Sequence, residues 1–345
     1  MTDPRAGGRY SRQVLFEGIG QEGQGRISGS SAVVVGCGAL GSVSSAILVR
    51  AGVGRVRLID RDVIEESNLQ RQLLFTEEDL RSLKPKAVAA RDHLALANST
   101  VSVESVVADF GPDNAVELLR GFDVIIDGTD NFEARFLIND ISVRHDIPWI
   151  YGACLGAYGV CMSILPGSTA CLRCLMESPP PPGSAATCDT AGIIAPIIAT
   201  IASIQAAEAL KLLAGREDDM QDGLFSIDIW SRRTQTVSVP RGGGRRRCMT
   251  CDGLEFEYLA GKGSRSAVLC GRDAVQVMPS GRGMLDLGIL AERLAAAGTV
   301  ERSEFMLKFR TEGCTLTIFP DGRAIVAGVT DPASARTLYS RYVGA

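Results

Sequence analysis

The chain has 345 residues, 46% hydrophobic and 22% charged, which suits a globular protein with a sizeable core and leaves room for one large domain and a small one. A formal net charge of −4 and a pI near 5.5 argue against a general nucleic-acid or anionic-membrane binder. The first residues, MTDPRAGGRYSRQ, lack the apolar core of a signal peptide. The expected compartment is therefore the cytoplasm, where the ten cysteines read as thiols or metal ligands rather than disulfides.

Residues 10–30 read as polar helix. SAVVVGCGALGSVSSAILVRAGVGRVRLIDRD then reads as strand, glycine turn, helix and strand. Ala32–Val35 is a short buried parallel strand, the helix carries on to Arg50, and Val56–Ile59 is a second strand ending at Asp60. A helix at 84–98, a strand at 101–108, a helix at 112–120, a strand at 123–128, a helix at 131–145 and the strand PWIYGACLG continue the alternation. The expected class is α/β, a Rossmann-like, doubly wound, mostly parallel sheet.

Beyond residue 155, GVCMSILPG reads as an edge hairpin, SPPPPGSAAT as an extended loop, and 190–214 as one long helix. LFSIDIWSRRTQTVSV reads as an antiparallel extension. The apolar run 191–215 carries Pro196, Gln205, Glu208 and Lys211, which favours a buried or amphipathic helix over a membrane span. A basic, glycine-rich linker over about 240–247 leads into Cys248 and Cys251, closing a main domain at 1–252. Residues 255–345 read as a separate small α/β domain of unknown role. It has a strand near 266–278, a helix at 285–297, strands at 304–311, 314–319 and 323–328, and a helix at 332–343. The Asp-Gly of FPDGRAIV marks a hairpin there.

GCGALG sets Gly36, Gly38 and Gly41 directly after a strand and before a helix, where phosphate oxygens can approach the helix N–H groups. Asp60, at the end of the next strand, stands where a carboxylate accepts bonds from ribose hydroxyls. The turn alone does not separate NAD from ATP. Asp62, Asn68, Arg71 and Gln72, followed by Lys84 and Lys86, add cationic and polar groups that a triphosphate needs and a dinucleotide does not. IIDGTDN ends a buried strand with Asp127 and Asp130, where a carboxylate can hold Mg2+ on phosphates.

CLRC and CMTC place Cys171 with Cys174 and Cys248 with Cys251. One pair could be a redox dithiol; two pairs suggest a closed tetrahedral zinc site, though their separation is long for a compact zinc ribbon. Cys188, in a Pro/Gly/Ser-rich loop ahead of a helix, is either a small packed residue or a low-pKa nucleophile. Cys37, Cys154, Cys161, Cys270 and Cys314 read as packed thiols.

Taken in order, RYSRQ, GCGALGS, LIDRDVIEESNLQRQ, KPKAVAAR, DGTDN, CLRC, TCDTAGIIAP and CMTC resemble the MoeB/ThiF/HesA-type adenylyltransferases, relatives of ubiquitin-activating enzymes, over about residues 9–252. The resemblance implies that ATP and Mg2+ adenylate the C-terminal Gly-Gly carboxylate of a MoaD/ThiS-type, ubiquitin-like sulfur carrier, releasing pyrophosphate. It implies that Gly36, Gly38 and Gly41 line the nucleotide and that Asp60 holds the ribose, with Asp62, Gln72 and Asn131 in the same site. Asn68, Arg71 and Lys86 would contact phosphates, and Asp130 would bind Mg2+ and be essential. Arg12 would reach the site of a neighbouring subunit in a homodimer. The four paired cysteines would hold structural zinc, and Cys188 would serve as nucleophile or sulfur-transfer thiol. A sulfurtransferase or cysteine desulfurase becomes a possible partner, with neither nucleic acid nor membrane. The alternatives are a catalytically silent carrier-binding adaptor and an NAD-dependent oxidoreductase. The sequence leaves the carrier open.

Overall fold

The structure, a computed structural model, describes residues 8–180, 188–244, 247–261, 274–277, 284–311 and 313–344. In chain order it opens with α1 (Ser11–Val14), α2 (Gly20–Gly29), β1 (Ser31–Val35), α3 (Ala39–Ala51) and β2 (Arg55–Ile59). Next come α4 (Glu77–Arg81), α5 (Lys86–Ala97), β3 (Ser102–Val106), α6 (Ala115–Leu119), β4 (Val124–Asp127), α7 (Phe132–His145) and β5 (Trp149–Leu155). They are followed by β6 (Tyr158–Ile164), α8 (Leu172–Leu175), α9 (Cys188–Ala191), α10 (Ala195–Leu213), β7 (Leu224–Asp228) and β8 (Arg233–Val237). The chain divides into two compact units. One comprises Met1–Glu77, Pro85–Ser184 and Ile193–Gly263; the other comprises Glu78–Lys84, Ala185–Gly192 and Ser264–Ala345.

The first unit is built on an eight-stranded sheet of order β3-β2-β1-β4-β5-β6-β7-β8. Its first five strands run parallel, and β6, β7 and β8 extend it antiparallel. The Val- and Ile-rich β1 and β4 are covered on both faces, which explains their unbroken apolar runs. Strand order reverses between β1 and β4, so their carboxyl ends diverge around a crevice, the place where such sheets bind ligands. The predicted alternation through PWIYGACLG appears with boundaries shifted by one to three residues.

Two readings change. GVCMSILPG forms β6 in a hairpin with β5, but β6 lies inside the sheet because β7 covers its far side; β8 is the edge. The single helix expected over 190–214 is two, broken where Gly192 takes a φ of +75°, with Pro196 in the first turn of α10. That helix, long and apolar enough to cross a membrane, packs on α3, β5 and β6. Its Gln205 donates to the Asp127 and Ile150 carbonyls, and its buried Glu208 accepts from the Ser163 hydroxyl and the Gln221 N–H. These bonds mark it as a core helix of the unit.

The second unit contains β9 (Ala274–Val277), α11 (Leu287–Leu294), β10 (Thr299–Arg302), β11 (Leu307–Thr311), β12 (Cys314–Ile318), β13 (Ala324–Ala327) and α12 (Pro332–Tyr342). Its five-stranded antiparallel sheet, of order β10-β11-β12-β13-β9, packs Leu307, Phe309, Leu316, Ile318 and Val326 against Leu290, Leu294, Ala335 and Tyr339 of the two helices. Asp286 and Asp331 cap those helices. The Asp-Gly hairpin joins β12 to β13 with Gly322 at φ +82°. Strand β10 was not expected; TVER has too few apolar residues to show alternation. Only Ala274–Val277 of the strand read near 266–278 falls among the described residues, and Cys270 lies outside them.

A Cβ added at Gly41 would sit 1.8 Å from the Gly36 carbonyl oxygen. Gly41→Ala is therefore expected to lower stability by about 3 kcal/mol or to abolish soluble expression; urea unfolding of purified protein measures it.

Candidate active site and cysteine cluster

Three strand ends and two helix starts meet at the reversal point. Gly36, at φ +88°, follows β1, and a Cβ there would lie 2.6 Å from the Gly128 carbonyl oxygen. A Cβ on Gly128 would in turn lie 2.2 Å from the Gly36 carbonyl oxygen. Two glycines facing each other let the ends of β1 and β4 abut. Gly38 is the N-cap of α3 and supplies no side-chain cap, so N–H groups of the first turn remain available to an anion.

Asp60 braces this turn. One carboxylate oxygen accepts the Cys37 N–H at 2.7 Å and the other accepts the Asp62 N–H at 2.7 Å. Burial pushes the Asp60 carboxyl up, with Lys86 opposing and Asp62 adding to the shift. Lys86 opens α5; its ammonium is buried and lies 3.2 Å from the Asp62 carboxylate. Arg61, which the sequence reading passed over, pairs with Asp109 at 2.7 Å. Burial works against its charge, but Asp109 and Asp62, and then Asp130, hold its pKa up. Its position inside LIDRD was the available signal.

Asn68 and Gln72 carry the strongest sign of a ligand. The Asn68 side-chain oxygen accepts the Glu65 N–H at 3.1 Å, yet its amide nitrogen Nδ2 is buried with no partner among the described residues. The Gln72 side chain turns its Nε2 toward Gly38, and its Oε1 is likewise buried with no partner among the described residues. An unmet buried donor and acceptor cost of order 1–3 kcal/mol each, a cost that a polar ligand beside the turn relieves. Arg71 spends one donor on the Ser67 carbonyl at 2.7 Å and keeps the rest of its guanidinium at the surface.

The two carboxylates at the end of β4 separate sharply. Asp127 has no exposed surface; it pairs with Arg135 at 3.1 Å and accepts the Thr129 N–H and hydroxyl. Asp130 is exposed. Asn131, placed with the nucleotide ligands by resemblance, spends its side-chain oxygen capping α7 through the Ala134 N–H. An exposed carboxylate at this crevice is the hard oxygen donor that Mg2+ requires. Tyr10 and Gln13 of RYSRQ are pinned by Asn98 and the Ala51 carbonyl, while Arg12 between them on α1 is exposed and takes part in none of the contacts above.

The four paired cysteines converge although the chain separates them widely. Sγ–Sγ distances are 3.8 Å for Cys171–Cys174, 3.7 Å for Cys171–Cys248 and 3.5 Å for Cys174–Cys251, and all four sulfurs lie within 4.8 Å of one another. A Zn–S bond of about 2.3 Å in a tetrahedron requires sulfurs about 3.8 Å apart, so the set fits zinc. With four sulfurs and no further His, Cys, Asp or Glu grouped with them among the described residues, such a site is closed. Hydrogen bonds from Cys171 and Cys248 pull the Cys174 thiol down, and those from Cys174 and Cys248 push Cys171 up. Helix α7 anchors the cluster. Asn139 accepts the Leu172 N–H at 2.8 Å, and Asp140 accepts the N–H groups of Tyr258 and Leu259. Arg173 pairs with Glu257 at 2.9 Å.

Cys188 is the first residue of α9; its side chain, and residues 181–187, lie outside the described set. Cys37 and Cys161 are buried thiols whose pKa burial raises, and Cys154 and Cys314 are half-buried, which fits packing roles.

Residues 10–247 match the ThiF family. Among curated relatives, the Sulfur carrier protein ThiS adenylyltransferase of Bacillus subtilis (strain 168) is 42% identical over 341 residues, covering 98% of this chain and 99% of the relative. The Sulfur carrier protein adenylyltransferase of Thermus thermophilus is 38% identical over 248 residues, covering 70% of this chain and 90% of the relative. In the solved structure of E. coli MccB with ATP, 24% identical, the match covers 70% of this chain and 74% of that one with a TM-score of 0.60, a likeness of fold.

Zinc analysis of the purified protein is expected to give about one equivalent per chain. Cys248→Ser is expected to lose that metal and lower the unfolding temperature, because the segment carrying Tyr258 would be released from α7.

Proposed function

The chain belongs to the ThiF family, and from that premise we propose that it adenylates the C-terminal Gly-Gly carboxylate of a ThiS-type sulfur carrier protein, using ATP and releasing pyrophosphate. One observation carries the choice of carrier. The similarity to the ThiS adenylyltransferase runs over both structural units, whereas the other sulfur-carrier relative matches 70% of the chain.

The reaction joins a carboxylate oxygen of the carrier to the α-phosphorus of ATP and breaks the bond to the β-phosphate. The carboxylate is already ionised at neutral pH, so no general base is needed, and a chain with two histidines is not short of one. What the protein must supply is relief of repulsion between anions. In this reading, phosphate oxygens meet the N-terminal N–H groups of α3 and the unpaired Asn68 amide, and Lys86 and Arg71 contribute positive charge. Asp60 faces the ribose. Each of its oxygens already accepts one N–H, but a carboxylate oxygen can accept a second bond. Gln72 offers a buried acceptor, and Asp62 holds Lys86 until phosphate draws it off. Asp130 would hold Mg2+, which when bound neutralises charge on the departing pyrophosphate.

Zinc held by Cys171, Cys174, Cys248 and Cys251 is structural in this reading. Arg12 serves the site of a second copy in a homodimer. Cys188 is the thiol that displaces AMP from the acyl adenylate to form a thioester, or that takes persulfide sulfur from a separate sulfurtransferase or cysteine desulfurase and releases that donor's thiol. The second unit is a docking platform for the carrier or a dimer element. None of the eight cysteines whose side chains are described is in a disulfide, which agrees with a reducing, cytoplasmic setting. A silent adaptor would have no use for the orphaned amides and the buried lysine at the glycine turn, and an oxidoreductase none for Arg71 and Asp130.

ATP–pyrophosphate exchange with a purified ThiS-type carrier tests this. Exchange is expected to require the carrier's terminal glycine and to fall by about a hundredfold or more in Asp130→Ala. Absence of exchange with any Gly-Gly carrier would leave the adaptor. Cys188→Ala is expected to keep exchange within about twofold, since exchange reports only the adenylation step.

A further inference from the structure

The segment joining β4 to α7 is held by a buried ion pair that none of the roles above uses. Asp127 ends β4 with no exposed surface, and Arg135 lies one turn into α7 almost fully buried. Their contacts converge on a single residue, Thr129. Its N–H and hydroxyl donate to one Asp127 oxygen at 2.9 and 2.7 Å, and its carbonyl accepts from Arg135 at 2.7 Å. The other Asp127 oxygen accepts from Arg135 Nε at 3.1 Å. Arg135 is fixed in turn from β5, where Gly152 offers its carbonyl at 3.3 Å and the Tyr151 ring lies 5.4 Å from the guanidinium, and from its own helix by Phe132 at 5.5 Å.

On either side of Thr129 the backbone is equally determined. The Gly128 N–H donates to the Val35 carbonyl at 2.8 Å, and Asn131 is locked by its cap on α7. Asp130 thus stands between two immobilised neighbours while its own side chain faces solvent. A pair serving only to stabilise α7 would spend its bonds on the helix. This pair spends three of them on the residue that precedes Asp130. It also removes Asp127 from competition for a cation, since both its oxygens are engaged.

We propose that the Asp127–Arg135 pair is a positioning device that acts through Thr129 to set where the Asp130 carboxylate meets its divalent cation. This rests on the reading of Asp130 as the Mg2+ ligand. Asp127 and Arg135 are both buried, so the pair acts through its neighbours; an ångström of drift at Asp130 is enough to cost catalysis heavily.

The test is ATP–pyrophosphate exchange over a range of Mg2+ concentrations with the full chain. Thr129→Val removes one hydroxyl bond and keeps the shape; Arg135→Lys keeps the charge and loses the fork that reaches both Asp127 and Thr129. Both are expected to raise the Mg2+ concentration for half-maximal exchange, by about tenfold in Arg135→Lys and less in Thr129→Val. At saturating Mg2+ the KM for ATP should stay within about twofold of wild type, a split that general loosening would not produce. If Arg135→Lys does not fold, Thr129→Val decides alone. If Mg2+ dependence is unchanged in the folded variants while Asp130→Asn abolishes exchange, the positioning role is overturned and the cation site stands. If Asp130→Asn itself leaves Mg2+ dependence unchanged, the cation reading falls, and this proposal with it.

Discussion

Everything at the crevice depends on the ends of β1 and β4 approaching as closely as two backbones can. Gly36 and Gly128 face each other with no room for a Cβ on either, and Gly41 brings the first turn of α3 down onto the same carbonyl. A parallel sheet splays its connections apart where strand order reverses. The glycines turn that opening into a narrow cradle whose floor is backbone. A bulky residue at any of the three would open the cradle and push the α3 N-terminus away from the position an anion would take.

Around that floor the acidic residues divide their work by burial. Asp127 is buried and consumed by hydrogen bonds that shape the β4–α7 segment, whereas half-buried Asp60 braces the glycine turn with one N–H on each oxygen. Asp62 stands between, tethering a buried lysine whose charge would otherwise be costly. Asp130 alone of the four is exposed. Four carboxylates within one small region would repel one another and scatter any bound cation; pairing with backbone N–H groups, Lys86 and Arg135 leaves one available.

Helix α7 links this site to the cysteine cluster. Its N-terminus is set by Asn131 and Arg135 beside the crevice, and its middle presents Asn139 and Asp140 to the segments that carry the cysteines. Burial pushes the Asp140 carboxyl up to about 6, and the two N–H bonds it accepts pull the other way. A metal at the four sulfurs would therefore stiffen the same helix whose start flanks Asp130. The second unit stands on its own apolar core of two capped helices on an antiparallel sheet, and the similarity to a ThiS adenylyltransferase extends over it.

Much of this could be read from residue order. Strand–turn–helix alternation gave the parallel sheet, because apolar runs of four or five residues between amphipathic helices have few other solutions. Adjacent glycines, strand-end acids and paired cysteines marked the chemistry because those functions constrain neighbouring residues. The misreadings were matters of partnership: β6 looked like an edge because its sequence cannot show that β7 covers it, and one helix became two because a single glycine φ is not written in composition. Likewise Asp127 and Asp130 look equivalent in IIDGTDN; only packing against Arg135, eight residues on and one helical turn into α7, buries the first and leaves the second to solvent. The convergence of Cys171 and Cys174 with Cys248 and Cys251 was suggested by residue type, but their sulfur spacing was set by α7 and by the chain returning to it. Sequence determines which groups are available and what each strand or helix can be; the tertiary structure decides which of them water still reaches, because burial is a property of neighbours that lie far apart along the chain.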